Sequence, residues 1–180
     1  MSFSAKLADL DRRLTETLID LPHLASALEF TTICALSDKS VIKTQQYPGL
    51  YKIDIQVAGS WRTAQEWLDW FISEWDPPEL AKKATPTTKQ KRIKKHTVLD
   101  EWMPIYIGKA HNVAARVIEH LQLGLEKPTF AMKLESRGTF FTSNTFRLQT
   151  LRAEVKNYDL LMPKLEQAAR NRFNPIVGRQ

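Results

Sequence analysis

The most regular pattern of hydrophobic and polar positions lies in residues 104–124. Residues 105–109 are rich in β-branched and aromatic side chains up to a glycine, which predicts a short buried strand. Asn112 is a good N-cap for a helix that follows. The apolar residues of this helix recur every four positions: Val113, Val117 and Leu121. Arg116 and His120 are also four residues apart, so we expect them on one face of the helix, beside the apolar stripe.

Residues 50–57 alternate between apolar and polar side chains, which predicts a half-buried strand. The face expected to be buried carries Tyr51, Ile53, Ile55 and Val57, and the polar face carries Lys52, Asp54 and Gln56. The small residues after position 57 end this strand, and Ser60 among them is a candidate cap for the next helix.

Two helices are predicted before this strand. Ser4 is a candidate N-cap for the first, which ends near Pro22. Its apolar positions follow helical spacing: Leu7, Leu10, Leu14 and Leu18. The second is predicted from about residue 22 to Leu36, and a polar connection then covers residues 37–47. These helices carry no candidate chemistry and are interpreted as scaffold.

Residues 61–75 predict a helix that is apolar over more than half of its circumference. Its aromatic residues are Trp61, Trp67, Trp70, Phe71 and Trp75. A surface of this kind must be buried against something. Packing in the core is the favoured interpretation, and a dimer contact or a surface on which bases stack is the alternative.

The C-terminal third has a less regular pattern. Residues 126–144 alternate in places, so one or two strands are expected there. Residues 146–155 suit either a strand or a short helix. A last helix is predicted to begin at Pro163 and to end at Asn174, which places Glu166 in its first turn.

Composition limits the class of protein. A chain of 180 residues with 43% hydrophobic and 26% charged residues is typical of one globular domain. The single cysteine, Cys34, excludes an internal disulfide and fits a reducing compartment. No apolar run approaches the ~20 residues of a membrane span, and the first residues lack the pattern of a signal peptide. We therefore expect a cytoplasmic protein without a membrane partner.

The net charge of +6 is concentrated in one segment. Residues 80–99 contain no acid and seven of the 26 basic residues, which leaves 19 basic residues against all 20 acidic ones elsewhere. These seven are the candidate nucleic-acid-binding residues: Lys82, Lys83, Lys89, Lys91, Arg92, Lys94 and Lys95. The composition predicts a mobile loop that binds a polyanion, most often a nucleic acid. The alternative is a solvated connector.

Two short motifs carry a resemblance to a known family. Pro48-Gly49-Leu50-Tyr51 and Ile105-Tyr106-Ile107-Gly108 resemble the two signatures of the GIY-YIG nuclease superfamily. Arg116 lies eight residues after the second signature's glycine, and His120 lies four further on, as in that family. Glu166, followed nine residues later by a proline, is similar to its third element. The position of the family's asparagine, three residues beyond that proline, holds Gly178 here, so its role is unfilled unless Asn174 substitutes.

The resemblance implies an α+β fold with a small, mainly antiparallel central sheet flanked by helices. Within a single domain over residues 1–180, it places the catalytic core at 48–57 and 104–178. Residues 1–47 are then a helical extension, and residues 58–103 are an insert with the aromatic helix and the basic loop.

The implied activity is that of a metal-dependent DNA endonuclease. A sequence-specific, restriction-type enzyme is preferred, and a palindromic double-stranded target would imply a homodimer. The alternatives are a structure-selective repair or mobile-element nuclease, and a non-catalytic DNA-binding module.

The resemblance also assigns the roles of phosphate binding and metal binding. A phosphodiester is anionic, so the site must neutralise charge on the phosphoryl oxygens, and the fork of donors on Arg116 suits that task. Glu166 is the expected ligand of Mg²⁺ or Mn²⁺, because one carboxylate with waters and substrate oxygens commonly holds such a cation. Glu154 is the rival ligand.

The remaining roles concern the attacking water. The resemblance assigns its deprotonation to Tyr51, whose ordinary pKa is near ~10 and requires nearby positive charge. His120 is expected to accept or relay the proton, or only to hold Tyr51. Tyr106 is expected to orient the water or phosphate, and Lys109 to contact the phosphate.

Overall fold

The computed structural model of the protein describes residues 2–80, 83 and 85–178. Its helices and strands follow in this order: α1 (Phe3–Ile19), α2 (Leu21–Ser26), β1 (Thr31–Ala35), α3 (Lys39–Lys43), β2 (Gly49–Gln56), α4 (Ala64–Trp75), β3 (Thr87–Thr88), α5 (Gln90–Ile93), β4 (Trp102–Ala110), α6 (Val113–Gln122), α7 (Thr139–Thr142), β5 (Phe146–Arg152), α8 (Tyr158–Phe173) and β6 (Val177–Gly178).

The central sheet has four strands in the order β1-β5-β2-β4, and every neighbouring pair is antiparallel. Helices flank it, so the predicted α+β class is confirmed. The prediction that β2 is half-buried was wrong. Because helices cover both faces of this interior strand, even Lys52 and Asp54 on its polar face are buried.

One core lies on each face of the sheet. The larger core packs α4, α6 and α7 over the face that carries Tyr51, Ile53 and Ile55. The smaller core packs α2 and α8 over the opposite face, which carries Leu50 and Ile107. A site at the edge of the sheet is therefore within reach of helices from both cores.

The aromatic helix packs in the larger core, as favoured by the sequence. Trp67, Phe71 and Trp75 are almost completely buried, and the Phe71 ring stacks on both tryptophans, with centroid separations of 5.4 and 5.5 Å. The helix begins later than predicted. Its N-cap is Thr63 rather than Ser60, because the Thr63 hydroxyl accepts a hydrogen bond from the backbone N–H of Glu66.

The predicted second helix was wrong beyond Ser26. Residues 31–35 form β1 instead, because Thr-Thr-Ile favours extended backbone and pairs with β5 in the sheet. The polar connection after it contains the short helix α3, in which the Asp38 side chain accepts a hydrogen bond from the backbone N–H of Val41.

In the C-terminal third, the structure agrees with the sequence prediction in one segment and differs from it in two. The described residues 126–144 contain no strand; a short 3₁₀ turn at Glu135–Arg137 and α7 lie there instead. Of the two alternatives for residues 146–155, the strand is correct. The last helix begins at Tyr158 rather than at Pro163, because a proline one turn from the N-terminus removes only one backbone hydrogen bond. Glu166 is therefore in the middle of α8.

The basic segment is more regular than the predicted loop. Residues 87–88 form β3, which pairs with β6 near the C-terminus, and residues 90–93 form α5 with Ile93 buried. Lys82 lies outside the described residues.

Over the part of the chain that the structure describes, no helix combines the length and the apolar character needed to cross a membrane.

Candidate functional site

A cavity of about 320 Å³ lies at β4, the edge strand of the sheet. Its lining residues come from β2, β4, α6, α8 and the loop after α6: Tyr51, Tyr106, Gly108, Lys109, Arg116, Phe130, Glu166 and Arg170. Five of the six predicted catalytic residues therefore line one cavity. The sixth, His120, lies behind Tyr51 and is completely buried.

Gly108 makes room for Tyr51 at the sheet edge. The two residues are cross-strand partners in the β2–β4 ladder. A side chain at position 108 would collide with the hydroxyl and Cζ of Tyr51 and would press on the ring of Tyr106. The two tyrosine rings stack with a centroid separation of 6.1 Å. Glycine is thus required here by close approach of the tyrosine and not by an unusual backbone conformation.

The hydrogen bonds of His120 define its tautomer. The backbone N–H of Met132 donates to Nδ1 at 3.0 Å, so Nδ1 carries no proton. Burial, together with the charge of Arg116, holds the pKa of His120 well below 6.5, so the ring is neutral. Nε2 must then carry the hydrogen, and it donates to the hydroxyl of Tyr51 at 2.8 Å. In this state His120 holds Tyr51 and does not accept its proton.

Both tyrosines are neutral phenols in the free protein. Burial raises the pKa of Tyr51 well above 10, and Tyr106 raises it further, while Arg116 acts in the opposite direction. Burial also raises the pKa of Tyr106, against the charges of Arg170 and Arg116. A phenolate at Tyr51 therefore requires more positive charge in the cavity than the side chains alone provide.

Arg116 is held in a fixed orientation on α6. Its Nη2 donates to the carbonyl of Phe130 at 2.5 Å, and its Nη1 donates to the carboxylate of Glu119. The side chain is 24% exposed. A half-buried guanidinium that is positioned by two partners and faces a cavity is suited to bind an anion.

Glu166 and Arg170 form an ion pair one turn apart on α8. Arg170 donates to Glu166 at 2.5 Å, and its Nε and Nη2 both donate to the carbonyl of Ile107 at 3.2 Å. Burial raises the pKa of the Glu166 carboxyl, while Arg170 and Lys109 act in the opposite direction. Arg170 thus ties α8 to β4 and fixes the carboxylate at the cavity.

Arg170 was missed by the sequence reasoning. The available signal was its spacing of four residues from Glu166, which places both side chains on one face of a helix. That spacing is common among surface ion pairs, so it did not distinguish Arg170 from a solvated residue.

The donor set allows a hard cation but does not enclose one. Among the described residues, no group of three or more His, Cys, Asp or Glu side chains is arranged to hold a metal. Glu166 offers one oxygen, Oε2, that accepts no hydrogen bond from any described residue. The rival ligand Glu154 is exposed and pairs with Arg152, away from the cavity. One carboxylate oxygen with waters and substrate oxygens fits Mg²⁺ or Mn²⁺.

The described residues of the basic segment lie outside the cavity lining. Lys83, Lys91, Lys94 and Lys95 are exposed, while Lys89 and Arg92 are partly buried. Asn174 does not line the cavity either. It ends α8 in a left-handed conformation, and its carbonyl oxygen lies 2.7 Å from Nε2 of His96.

A larger cavity of about 770 Å³ lies on a different face of α8, between that helix and α1–α2, and it is mostly apolar.

Comparison of the chain with protein-family models, with curated proteins and with solved structures gave no match. The assignment of the smaller cavity as the candidate site therefore rests on its own residues: two tyrosines, two arginines, a lysine and a carboxylate.

Proposed function

We propose that the protein is a metal-dependent DNA endonuclease that hydrolyses phosphodiester bonds, similar to the GIY-YIG nucleases. One observation carries this proposal. Tyr51, Tyr106, Arg116 and Glu166 lie on four different elements, yet they line a single cavity. The four residues were selected by motif spacing alone, so their convergence is independent support for the resemblance.

Arg116 is the residue that neutralises the substrate. Each phosphodiester carries a negative charge that repels a nucleophile, and charge builds up on its oxygens during attack. The Arg116 guanidinium faces the cavity in an orientation fixed by Phe130 and Glu119. It therefore stabilises the developing charge without rearranging at the moment of reaction.

Tyr51 accepts the proton of the attacking water as a phenolate, after its own phenolic proton has left to solvent, and the N–H of His120 stabilises that phenolate. The N–H of His120 already donates to the Tyr51 hydroxyl, and such a donor stabilises a phenolate more than a phenol. Tyr106 and Lys109 line the same cavity and position the phosphate and the water.

Glu166 would hold the divalent cation, Mg²⁺ or Mn²⁺, and Arg170 fixes the orientation of the carboxylate. When bound, the cation adds positive charge that stabilises the leaving oxygen and favours the phenolate of Tyr51. The pKa of Tyr51, raised by burial, gives a reason for the metal requirement.

Double-stranded DNA is the proposed substrate, and a restriction-type, sequence-specific enzyme is the preferred class. The exposed lysines of the basic segment provide an electrostatic surface beside the core of the protein. A palindromic target is matched by a homodimer. The single, partly buried cysteine fits action in the reducing cytoplasm.

The test is cleavage of supercoiled plasmid and of a large linear DNA with Mg²⁺ or Mn²⁺. Arg116→Ala and Glu166→Gln should each reduce the rate by about 100-fold or more, because each removes a group that stabilises the transition state. Glu154→Gln is the matched control, since it makes the same change at an exposed carboxylate, and it should cut like wild type.

The pattern of products separates the classes. Discrete bands from the large DNA support a sequence-specific enzyme, whereas a smear or single nicks support a repair or mobile-element nuclease. If the wild type cuts no DNA with either metal, the protein is not a nuclease. If it cuts but Arg116→Ala and Glu166→Gln cut equally well, the cavity is not the active site.

A further inference from the structure

Arg92 differs from the other cations of the basic segment. It is partly buried, whereas its neighbours Lys91 and Lys94 are exposed. Its Nη1 is buried without a hydrogen-bond partner, and the guanidinium makes no ion pair or hydrogen bond with any described residue. Because a buried unpaired donor is costly, this arrangement calls for a ligand that supplies the missing partner.

The C-terminal strand creates the space for this side chain. A Cβ at Gly178 would lie 3.2 Å from Nη1 of Arg92, which is tighter than ordinary van der Waals contact. Gly178 pairs with Thr87 in the β3–β6 ladder, so the glycine and α5 are held next to each other. A side chain at position 178 would therefore require Nη1 of Arg92 to shift by a few tenths of an ångström.

The same tail ties Arg92 to the candidate site. The backbone N–H of Lys89 donates to the carbonyl of Ile176 at 2.9 Å, and the N–H of Ile176 donates to the carbonyl of Pro104 in β4 at 3.0 Å. The basic segment is thus connected through two backbone hydrogen bonds to the strand whose other end forms the cavity.

The charge of Arg170 acts on Arg92. Burial and the charge of Arg170 together lower the pKa of Arg92. Arg170 is neutralised by Glu166 and lines the cavity, but no acidic residue of the described chain pairs with Arg92. Arg92 therefore lacks a counterion among the described residues, which favours an anion there.

We infer that Arg92 binds a phosphate of the DNA backbone beside the phosphate that occupies the cavity. This inference rests on the proposed function. The guanidinium has no internal hydrogen bond to break, so it is free to turn its fork of donors towards a phosphate. Arg92 thus differs from the lysines around it, which supply only diffuse electrostatic attraction.

The test measures binding and cleavage separately. Binding of a fluorescein-labelled DNA duplex is followed by fluorescence anisotropy in Ca²⁺ at several NaCl concentrations. Arg92→Ala should weaken binding about tenfold and lower the salt slope by about 1, as expected for the loss of one phosphate contact. Lys91→Ala, in the same helix, is the matched control and should weaken binding less than about threefold.

Two further variants distinguish the geometry from the charge. Arg92→Lys keeps the charge but loses the planar fork, so its affinity should lie between those of wild type and Arg92→Ala. Gly178→Val keeps the guanidinium but crowds its Nη1, so it should weaken binding less than Arg92→Ala does. Circular dichroism of each variant establishes that it is folded.

The outcomes separate this inference from the proposed function. If wild type cuts DNA but Arg92→Ala binds like Lys91→Ala, the inferred phosphate contact of Arg92 is wrong, and the proposed nuclease activity is retained. If wild type binds DNA without cutting and Arg92→Ala is defective in binding, the proposed nuclease activity is wrong, and the inferred phosphate contact of Arg92 is retained. If wild type binds no duplex, both are wrong.

Discussion

At the scale of single residues, the contact between Tyr51 and His120 has a defined donor and acceptor. A buried imidazole that receives a backbone N–H on Nδ1 has only Nε2 available to donate, and Nε2 lies on the tyrosine hydroxyl. The hydroxyl of Tyr51 is therefore the acceptor in this contact, and its own hydrogen does not point to His120. A donor that is fixed in this way stabilises negative charge on Tyr51 without taking up its proton.

The neutral state of His120 predicts a dependence of stability on pH. The pKa of His120 in the folded protein lies well below the 6.5 of an exposed histidine, so below that pH the unfolded state binds a proton that the folded state does not. The free energy of unfolding should then fall by about 1.4 kcal/mol per pH unit below 6.5, down to the folded pKa.

Urea unfolding at about pH 7 and about pH 5 measures this dependence. His120→Asn should lose less stability on acidification than wild type, by about 2 kcal/mol. His111→Asn, at an exposed position, is the control and should keep the dependence of wild type. If His120→Asn loses as much stability as wild type, His120 is not buried as a neutral ring.

The residues of the site differ in how far the sequence could predict them. Arg116 and Glu166 follow from motif spacing, because the spacing is fixed by two strands and two helices. The tautomer of His120 could not be predicted, since it depends on the N–H of Met132, which lies in an irregular loop. Arg170 could not be distinguished because its spacing from Glu166 also occurs in ordinary surface pairs.

At the scale of elements, the aromatic helix α4 joins the insert to the core. Trp75 is completely buried, and Arg137 lies over its ring at 3.8 Å while Nη1 of Arg137 donates to its backbone carbonyl at 2.6 Å. The indole Nε1 of Trp75 donates to the carbonyl of Pro86, within the basic segment. The segment is thus held at adjacent residues, by α4 at Pro86 and by β6 at Thr87–Thr88.

Truncation of the Trp75 side chain should lower the stability of the folded protein. Trp75→Ala is expected to lower the free energy of unfolding by about 3–5 kcal/mol, because it opens a large cavity and removes the partner of Arg137. Trp61→Ala, at a partly exposed tryptophan outside α4, should cost less. Guanidinium unfolding of both variants measures the difference. Equal losses would mean that Trp75 has no special place in the core.

Local patterns predicted β2, β4 and α6 but not β1. The apolar residues Leu28, Ile33 and Leu36 fit helical spacing as well as they fit a short strand. Residues 31–35 become β1 because they pair with β5, more than a hundred residues later in the chain. Such a partner leaves no trace in the local sequence.

At the scale of the whole molecule, the site occupies the edge strand of the sheet. β4 has β2 on one side only, so its other edge is available to the C-terminal tail, to Arg170 and to the cavity. Helices from both cores meet there, α6 from one face and α8 from the other. An edge strand lets two helices bring opposite charges, Arg116 and Glu166, to the same place.

Helix α1 buries little of its surface against the rest of the described chain. None of its residues is buried, and Phe3, Leu7 and Leu10 are 81%, 55% and 54% exposed. With Leu14, these residues follow the alternating three-and-four spacing of a coiled-coil seam. In the proposed homodimer, we expect a second copy of α1 to cover this stripe.

If two copies of α1 pair along this stripe in the proposed homodimer, we expect the charges beside the seam to favour a parallel arrangement. Lys6 and Asp11 flank the seam at positions that face each other across two parallel helices, so each protomer's lysine would meet its partner's aspartate. Leu10→Glu should abolish the dimer, because it places a charge in the seam. Lys6→Glu and Asp11→Lys should each weaken it, and the double exchange should restore it, because the pair is then reversed rather than broken.

Sedimentation velocity over a range of protein concentrations measures the mass of each variant. A matched control is Arg12→Glu, since Arg12 pairs with Asp9 and Glu16 within its own helix and lies away from the seam. It should dimerise like wild type. If wild type stays monomeric at every concentration, the prediction that two α1 helices pair along the seam is wrong. The same holds if the Leu10→Glu variant still dimerises. If the double exchange fails to recover what the single exchanges lose, the helices pair but not in parallel.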